Sequence, residues 1–381
     1  MTPSSESVIC LFLLLYVYVN FVQLILYTGI ILYLFLLKTK NFLLMRLIIL
    51  VIFIVTFVSA CQQRNFEILV INGLTMGTTY SIKIKTRDNK ANKNHIYNDI
   101  EHILFKINHA MSTYIKDSEL SKINLMNNSS WQPVSDDLFK VINHANDVSI
   151  KTNGAFDITI GPLVNLWGFG PDKSKNKVPN DETVKIIKKN TGFKKILLNK
   201  KLKMVSKTDP NLYIDLSGIA KGFAVDKIAN YLDTYDFKNY LIEIGGELIG
   251  KGTNIDKKPW IIGIQNPSND SQSIKRTIQL KNIAMATSGD YKNYFVEDGI
   301  RYSHTIDPNS GKPVKHELVS VTILDNSAMN ADALATAFMV LGPEKTLLIA
   351  NELEVAVYLI IKNEEKFEEI YNDIFASFLL N

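Results

Sequence analysis

The chain has 381 residues with a formal net charge of +4, 46% hydrophobic and 10% aromatic residues, and two cysteines, Cys10 and Cys61. That apolar content excludes intrinsic disorder, and so small a charge, with no basic stripe interleaved by aromatics, leaves no nucleic-acid footprint. Both cysteines fall within the first 61 residues, so the remainder has no disulfide, no thiolate nucleophile and no cysteine metal site.

The chain opens on an apolar leader. Val8–Leu37 is thirty residues without a charge and Leu47–Ala60 a further fourteen, where a membrane span needs only ~20. A mean hydropathy of +0.05 therefore averages this leader with an ordinary body. Glu6, Lys38, Lys40 and Arg46 account for +2 of the net charge, leaving +2 on the rest. Met45-Arg46 followed by Leu47–Ala60 has the layout of a signal peptide: a basic start, an apolar core, then small residues. Val58-Ser59-Ala60-Cys61 resembles a bacterial lipobox, in which the cysteine is lipidated and becomes the new N-terminus. The plainer alternative is that Cys61 closes a transmembrane helix. Residues 1–44 fit if translation starts at Met45, or if Val8–Leu37 is an extra span. Either way the body is expected outside the membrane, lipid-anchored on the periplasmic side of a bacterial inner membrane. The expected organisation is a leader over 1–60 and one domain over 61–381. No later stretch is long and uncharged enough to make the chain polytopic.

The body, with 320 residues from Gln62, is long enough to bury a large core. Phe66–Ile84 alternates as two strands, with Asn72-Gly73 as the turn pair. Ile96, Ile100, Ile103, Leu104, Ile107 and Met111 recur at helical spacing, predicting an amphipathic helix over Ile96–Met111. Ser135 caps a second helix carrying Leu138, Val141, Ile142, Ala145 and Val148 on one face. Lys195–Val205 reads as a hairpin turning near Asn199-Lys200, and Ile219–Leu232 as a helix. Strands follow at Tyr240–Ile244, Trp260–Ile264, Leu318–Leu324 and Val355–Ile361. Ala331–Leu341 is a helix ended by Gly342-Pro343. Helices and strands mix without a strict βαβ rhythm, which predicts a single α+β domain.

Three constellations carry possible chemistry. Tyr213–Gly222 (YIDLSGIAKG) reads as strand, glycine turn and helix, with Asp215 at the strand end and Lys221 about one turn into the helix. Ser217 and Gly218 would offer helix-start amides to an anion; the same pattern also serves as a plain turn. Asp332 and Thr336, four apart on a helix, put a carboxylate and a hydroxyl on one face, a set suited to a hard cation such as Mg²⁺. The alternative is a helix capped by Asn330, with Asp332 complementing its dipole. Ser303–Gly311 (SHTIDPNSG) places His304 at a strand end before a sharp turn. Histidine suits proton transfer near neutral pH. His95, His102, His109, His144 and His316 have no recognisable chemical setting. Gly245-Gly246-Glu247 and Thr287-Ser288-Gly289-Asp290 are ordinary glycine turns taken singly. The absence of G-x-S-x-G, H-E-x-x-H and Walker patterns argues against a serine hydrolase, a zinc protease and a P-loop ATPase.

Taken together and in order, these pieces resemble the ApbE family of flavin transferases. The resemblance rests on Leu74-Thr-Met-Gly-Thr-Thr-Tyr80, Met111-Ser-Thr-Tyr114 with Ser118–Asn124, Gly154-Ala-Phe-Asp-Ile-Thr-Ile-Gly-Pro162 and Leu166-Trp-Gly-Phe-Gly170. It continues through Ile214–Gly222, Glu243-Ile-Gly-Gly-Glu247, Ala286-Thr-Ser-Gly-Asp-Tyr291, Ser303–Pro308 and Ala331–Thr336. Departures are slight: Thr305 stands where the family often has an aliphatic residue, and Asn309-Ser310 replaces a more usual x-Thr.

The resemblance implies a T-fold-like α/β core that binds FAD and Mg²⁺. It further implies transfer of the FMN half of FAD to a threonine or serine of a partner protein, with release of AMP. It carries flavin contacts onto Met76, Tyr114, Ala155, Phe156, Asp157, Asp215, Lys221 and Ile306. Metal positions fall on Asp332, Thr336 and the backbone oxygens of Gly218 and Ala335, and the chemistry on His304. The implied acceptor is a membrane redox subunit, such as one of a sodium-pumping quinone reductase. An FAD pyrophosphatase and a non-catalytic FAD-binding lipoprotein are the competing readings.

Overall fold

The computed structural model describes residues 66–87, 93–170, 178–267, 273–290, 293–363 and 366–380, together with Val51. Cys61 and, apart from Val51, the leader segments expected to anchor the chain lie outside the described residues. Phe66–Asn381 forms one compact unit, and no helix among the described residues is long and apolar enough to cross a membrane.

In chain order the elements are β1 (Glu67–Thr75), β2 (Thr78–Thr86), α1 (Lys93–Met111), α2 (Glu119–Leu125), β3 (Gln132–Pro133), α3 (Asp136–Lys151), α4 (Gly161–Leu166) and α5 (Asp181–Lys188). Then follow β4 (Ile196–Asn199), β5 (Met204–Lys207), α6 (Ala220–Thr234), β6 (Tyr240–Ile244), β7 (Glu247–Lys251), β8 (Trp260–Gln265), β9 (Ile274–Leu280) and β10 (Ile283–Gly289). The chain continues through β11 (Tyr294–Glu297), β12 (Ile300–Ser303), β13 (Ile306–Asp307), β14 (Lys312–Pro313), β15 (Leu318–Asp325), α7 (Ala328–Leu341) and α8 (Pro343–Glu352). It closes on β16 (Ala356–Asn363), β17 (Lys366–Tyr371) and α9 (Asp373–Ala376). This is the α+β fold expected from the sequence.

An eight-stranded antiparallel sheet in the order β1-β2-β6-β7-β10-β15-β16-β17 forms the frame. Its central strands are apolar on both faces, and the period-2 alternation of side chains sorts them. Ile242, Ala284, Ala286, Val321, Val357 and Leu359 join the helical core with α1, α3, α6 and α7. Their neighbours Leu241, Met285, Tyr358 and Ile360 face away, against Trp260, Ile278 and Phe375 of the β8–β9 hairpin and α9. A third cluster of Leu163, Trp167, Val184, Phe295 and Ile306 gathers α4, α5, β11 and β13. The Trp167 Nε1–H donates to the Gly311 carbonyl at 2.9 Å, tying this cluster to the turn after β13.

The helices over Ile96–Met111 and from Ser135 form as predicted, and the Ser135 hydroxyl accepts the Leu138 N–H. Asn72-Gly73 is not the turn. Both sit inside β1, facing Ser81 and Tyr80 of β2, and the chain reverses at Met76-Gly77. A Cβ on Gly73 would lie 2.5 Å from the Tyr80 ring. Gly73 is there to admit that ring.

Candidate active site

The segment leading into α6 belongs to no strand. The Asn124 side-chain amide takes the place of a neighbouring strand: its Oδ1 accepts the Ile214 N–H and its Nδ2 donates to the Ile214 carbonyl, both at 2.8 Å. The Asp215 N–H donates to the Ile158 carbonyl at 2.7 Å. Asp215 Oδ1 then accepts the Ser217 N–H at 2.8 Å, so that amide is not open to an anion as the sequence suggested. Helix α6 itself begins only at Ala220. Gly218 lies against α7, where a Cβ would come within 3.2 Å of Thr336 Oγ1 and 3.4 Å of the Phe156 ring.

One turn on, α6 and α7 nearly touch. Gly222 N–H donates to Asp332 Oδ2 at 3.0 Å. The cap of α7 is Ser327, whose hydroxyl accepts the Asn330 N–H, rather than Asn330. Asp332 is thus deeper in the helix than the sequence implied, and Asn330 is spent on Asp325 at 2.7 Å. Lys221 Nζ donates to Glu247 Oε2 at 2.6 Å. The result is a buried cluster of two carboxylates and one ammonium. Burial, then the charge of Asp332, push Glu247 up to about 8 against the pull of Lys221. Burial raises Asp332 in the same way. Burial works against the charge of Lys221, but Asp332 and Glu247 outweigh it and hold its pKa up. With two carboxylates against one ammonium, the cluster is one positive charge short of neutral when all three groups are ionised.

His304 follows β12 directly. Its Nδ1 lies 3.1 Å from the Asn293 carbonyl oxygen, which can only accept, so Nδ1 carries the proton and Nε2 keeps its lone pair. Phe169 meets the ring edge-on at a centroid distance of 6.2 Å. Burial lowers the His304 pKa, opposed by the Asn293 hydrogen bond, and the imidazole is neutral at pH 7.

A cavity of about 390 Å³ joins these parts. Ala155, Phe156, Asp157, Asp215, Gly218, Lys221, His304, Ile306, Asp332 and Thr336, all singled out from sequence, line it. Met76, Tyr114 and Ala335 are not in that lining. Met76 sits at the β1–β2 turn with φ +50°, Tyr114 is 75% exposed, and Ala335 is buried within α7. The Asp157 carboxylate is fully engaged by the protein: Oδ1 accepts from the Thr159 N–H and hydroxyl, and Oδ2 from the Phe193 N–H. It holds the cavity wall in shape. Among the described residues no three His, Cys, Asp or Glu side chains are grouped to hold a metal. The available donors are instead one carboxylate (Asp332), one hydroxyl (Thr336) and backbone oxygen. That oxygen set suits a hard cation which retains waters, and the charge deficit of the cluster suits it too.

The ApbE family model matches residues 76–359. This chain belongs to the ApbE family. Among its ApbE relatives, the FAD:protein FMN transferase of Vibrio cholerae is 43% identical over 317 residues, covering 83% of this chain and 94% of that protein. The FAD:protein FMN transferase of Haemophilus influenzae is 43% identical over 315 residues, covering 81% and 90%. The solved structure of the flavin transferase ApbE from Vibrio cholerae matches with a TM-score of 0.77 at 42% identity, covering 82% of this chain and all of that one. The Pseudomonas stutzeri flavinyl transferase ApbE, apo form, matches with a TM-score of 0.77 at 34% identity, covering 83% and 98%.

Sequence reasoning gave no role to several residues of the ApbE cavity. Glu247, Thr287 and Ser288 line it; the sequence reads each as part of a glycine turn, whereas Glu247 opens β7 and Thr287 and Ser288 lie within β10, paired with β15. The signal for Glu247 lay in the pair of glycines before it, which, with φ +60° and +105°, make the turn from β6 into β7.

Proposed function

We propose that this protein transfers the FMN moiety of FAD to a threonine or serine hydroxyl of a partner protein and releases AMP. The observation that carries the reading is one cavity holding both the Lys221–Glu247–Asp332 cluster with Thr336 and a neutral His304. The names of the similar proteins, FAD:protein FMN transferases, support it.

Asp332, Thr336 and the Gly218 carbonyl would hold Mg²⁺, which when bound supplies charge neutralisation to a pyrophosphate. Lys221 adds a second positive charge from the protein. The acceptor hydroxyl attacks the phosphorus of the FMN half; its oxygen–phosphorus bond forms as the bond to the AMP oxygen breaks. His304 Nε2 accepts the hydroxyl proton. Phe156 and Ile306 give the cavity its apolar wall for the flavin ring.

The acceptor is a membrane redox subunit, and lipid on Cys61 holds the enzyme beside it on the periplasmic side of a bacterial inner membrane. Tethering both to one surface raises the effective concentration of one for the other. The test is to incubate the protein with FAD, Mg²⁺ and a candidate acceptor domain and to weigh the acceptor by intact-mass spectrometry. A gain of one FMN residue, lost without Mg²⁺, is expected. Free FMN and AMP with an unmodified acceptor would show hydrolysis instead, and intact bound FAD a carrier.

A further inference from the structure

We infer that Glu247 is a positioning residue that aims the Lys221 ammonium at the phosphate chain of FAD. The inference rests on the transferase reading and concerns a residue which that reading leaves idle. Lys221 is a long, flexible side chain, and a cation on such a stem helps a reacting phosphate only if it is already in place. Here Glu247 Oε2 accepts from Nζ at 2.6 Å. The side chain of Glu247 is 4% exposed and that of Lys221 27%. The carboxylate is therefore the more deeply buried partner of the pair, and both residues line the cavity.

The carboxylate is itself fixed by the backbone. Glu247 pairs with Ile244 across the two-residue Gly245-Gly246 turn, whose φ values of +60° and +105° favour glycine. Gly245 N–H donates to the Thr79 carbonyl at 3.1 Å, and Gly246 N–H to Glu243 Oε1 at 2.9 Å. A Cβ on Gly245 would stand 2.7 Å from Thr78 Cγ2, so the turn sits hard against β2. The Glu-Ile-Gly-Gly-Glu segment is thus a bracket: Glu243 closes the turn and Glu247 holds the lysine. Stability alone is a poor reason for the pair, since buried ion pairs contribute little net folding energy.

The test compares the wild-type chain with Glu247→Ala, Glu247→Gln, Lys221→Met and the double variant Lys221→Met/Glu247→Ala. AMP release in the presence of FAD, Mg²⁺ and acceptor gives kcat and KM, flavin fluorescence gives FAD affinity, and thermal melts report folding. Glu247→Ala is expected to lower kcat on the order of 100-fold, as a misplaced group does, with little change in KM for FAD. Glu247→Gln, which keeps the length and an accepting oxygen, is expected to recover most of that loss. Adding Glu247→Ala to Lys221→Met should cost nothing more, because the bracket then has nothing to hold. Unchanged kcat in Glu247→Ala overturns the inference, as does a fully additive double variant. So does a Glu247→Gln chain that melts early and loses kcat and FAD affinity together, since that marks a merely structural role. A wild-type chain that releases no AMP overturns the transferase reading, and this inference with it.

Discussion

A Cβ placed on Gly222 would lie 2.2 Å from the carbonyl oxygen of Ala328 and 2.8 Å from Asp332 Cβ. The neighbour is backbone and cannot swing aside, so α6 and α7 are as close as they are because residue 222 has no side chain. Gly222→Ala is expected to force the helices apart, with a stability loss of about 3 kcal/mol, the upper end for an overpacked core. Transfer should fall further than stability, since Lys221 and Asp332 flank the contact. Urea denaturation alongside AMP release checks both.

The pH dependence of transfer should report His304. Burial favours its uncharged form and lowers the pKa below the ordinary 6.5. If His304 is the base, as proposed, its neutral form is the competent one, so the rate is expected to rise with pH through a midpoint below 6.5 and to be flat at neutrality. His304→Gln should still bind FAD, lose that midpoint, and transfer roughly 10²–10⁴ times more slowly. Wild-type rates in a single-turnover assay of this variant would remove His304 from the mechanism.

Asn124 is expected to matter to FAD without touching it. Its amide satisfies both the N–H and the C=O of Ile214, and the next residues carry Asp215 and Gly218 into the cavity wall. Asn124→Ala leaves two backbone groups without partners, at a cost of about 1–3 kcal/mol. Flavin fluorescence titration should show weaker FAD binding, and hydrogen exchange should show faster exchange at residues 213–218.

What could be read from the sequence was whatever a local period or a contiguous motif encodes. The helical stripe from Ile96 to Met111 was legible because one face is buried along its length. The motifs carrying Asp215, Lys221, His304 and Asp332 were legible as a set, and the fold does draw them to one cavity. The errors come from contacts between distant residues. Asn72-Gly73 has turn chemistry, but the Tyr80 ring claims Gly73. Residues 213–216 have strand composition, but Ile214 pairs with a side chain from α2 in place of a strand. Glu247 had no visible role until its lysine, 26 positions away, was brought to it.

Lys207 offers a stability test far from the chemistry. It is fully buried, and the three N–H groups of its ammonium are shared among the carbonyls of Asn124, Met126, Pro210 and Leu212, at 3.0–3.2 Å. Burial lowers its pKa from 10.5, opposed by Asp209. The unfolded chain holds that proton more tightly, so between the lowered value and 10.5 the contribution of Lys207 to stability becomes more favourable as pH rises. Lys207→Met leaves the carbonyls unpaired and should cost on the order of 3 kcal/mol at neutral pH. Relative to that variant, the wild-type unfolding free energy should slope upward with pH just below 10.5. A parallel pair of pH–stability curves would show that Lys207 does not titrate differently on folding.

The cavity takes its walls from pieces of chain that begin at Ala155 and end at Val340. Lys221, Glu247 and Asp332 meet only when β6, β7, α6 and α7 are all in place, because separate stretches of the chain supply them. Chemical competence is therefore a property of the finished fold, with no fragment holding a partial share. A flavin left on an acceptor is consequently a record that the molecule which put it there had completed its folding.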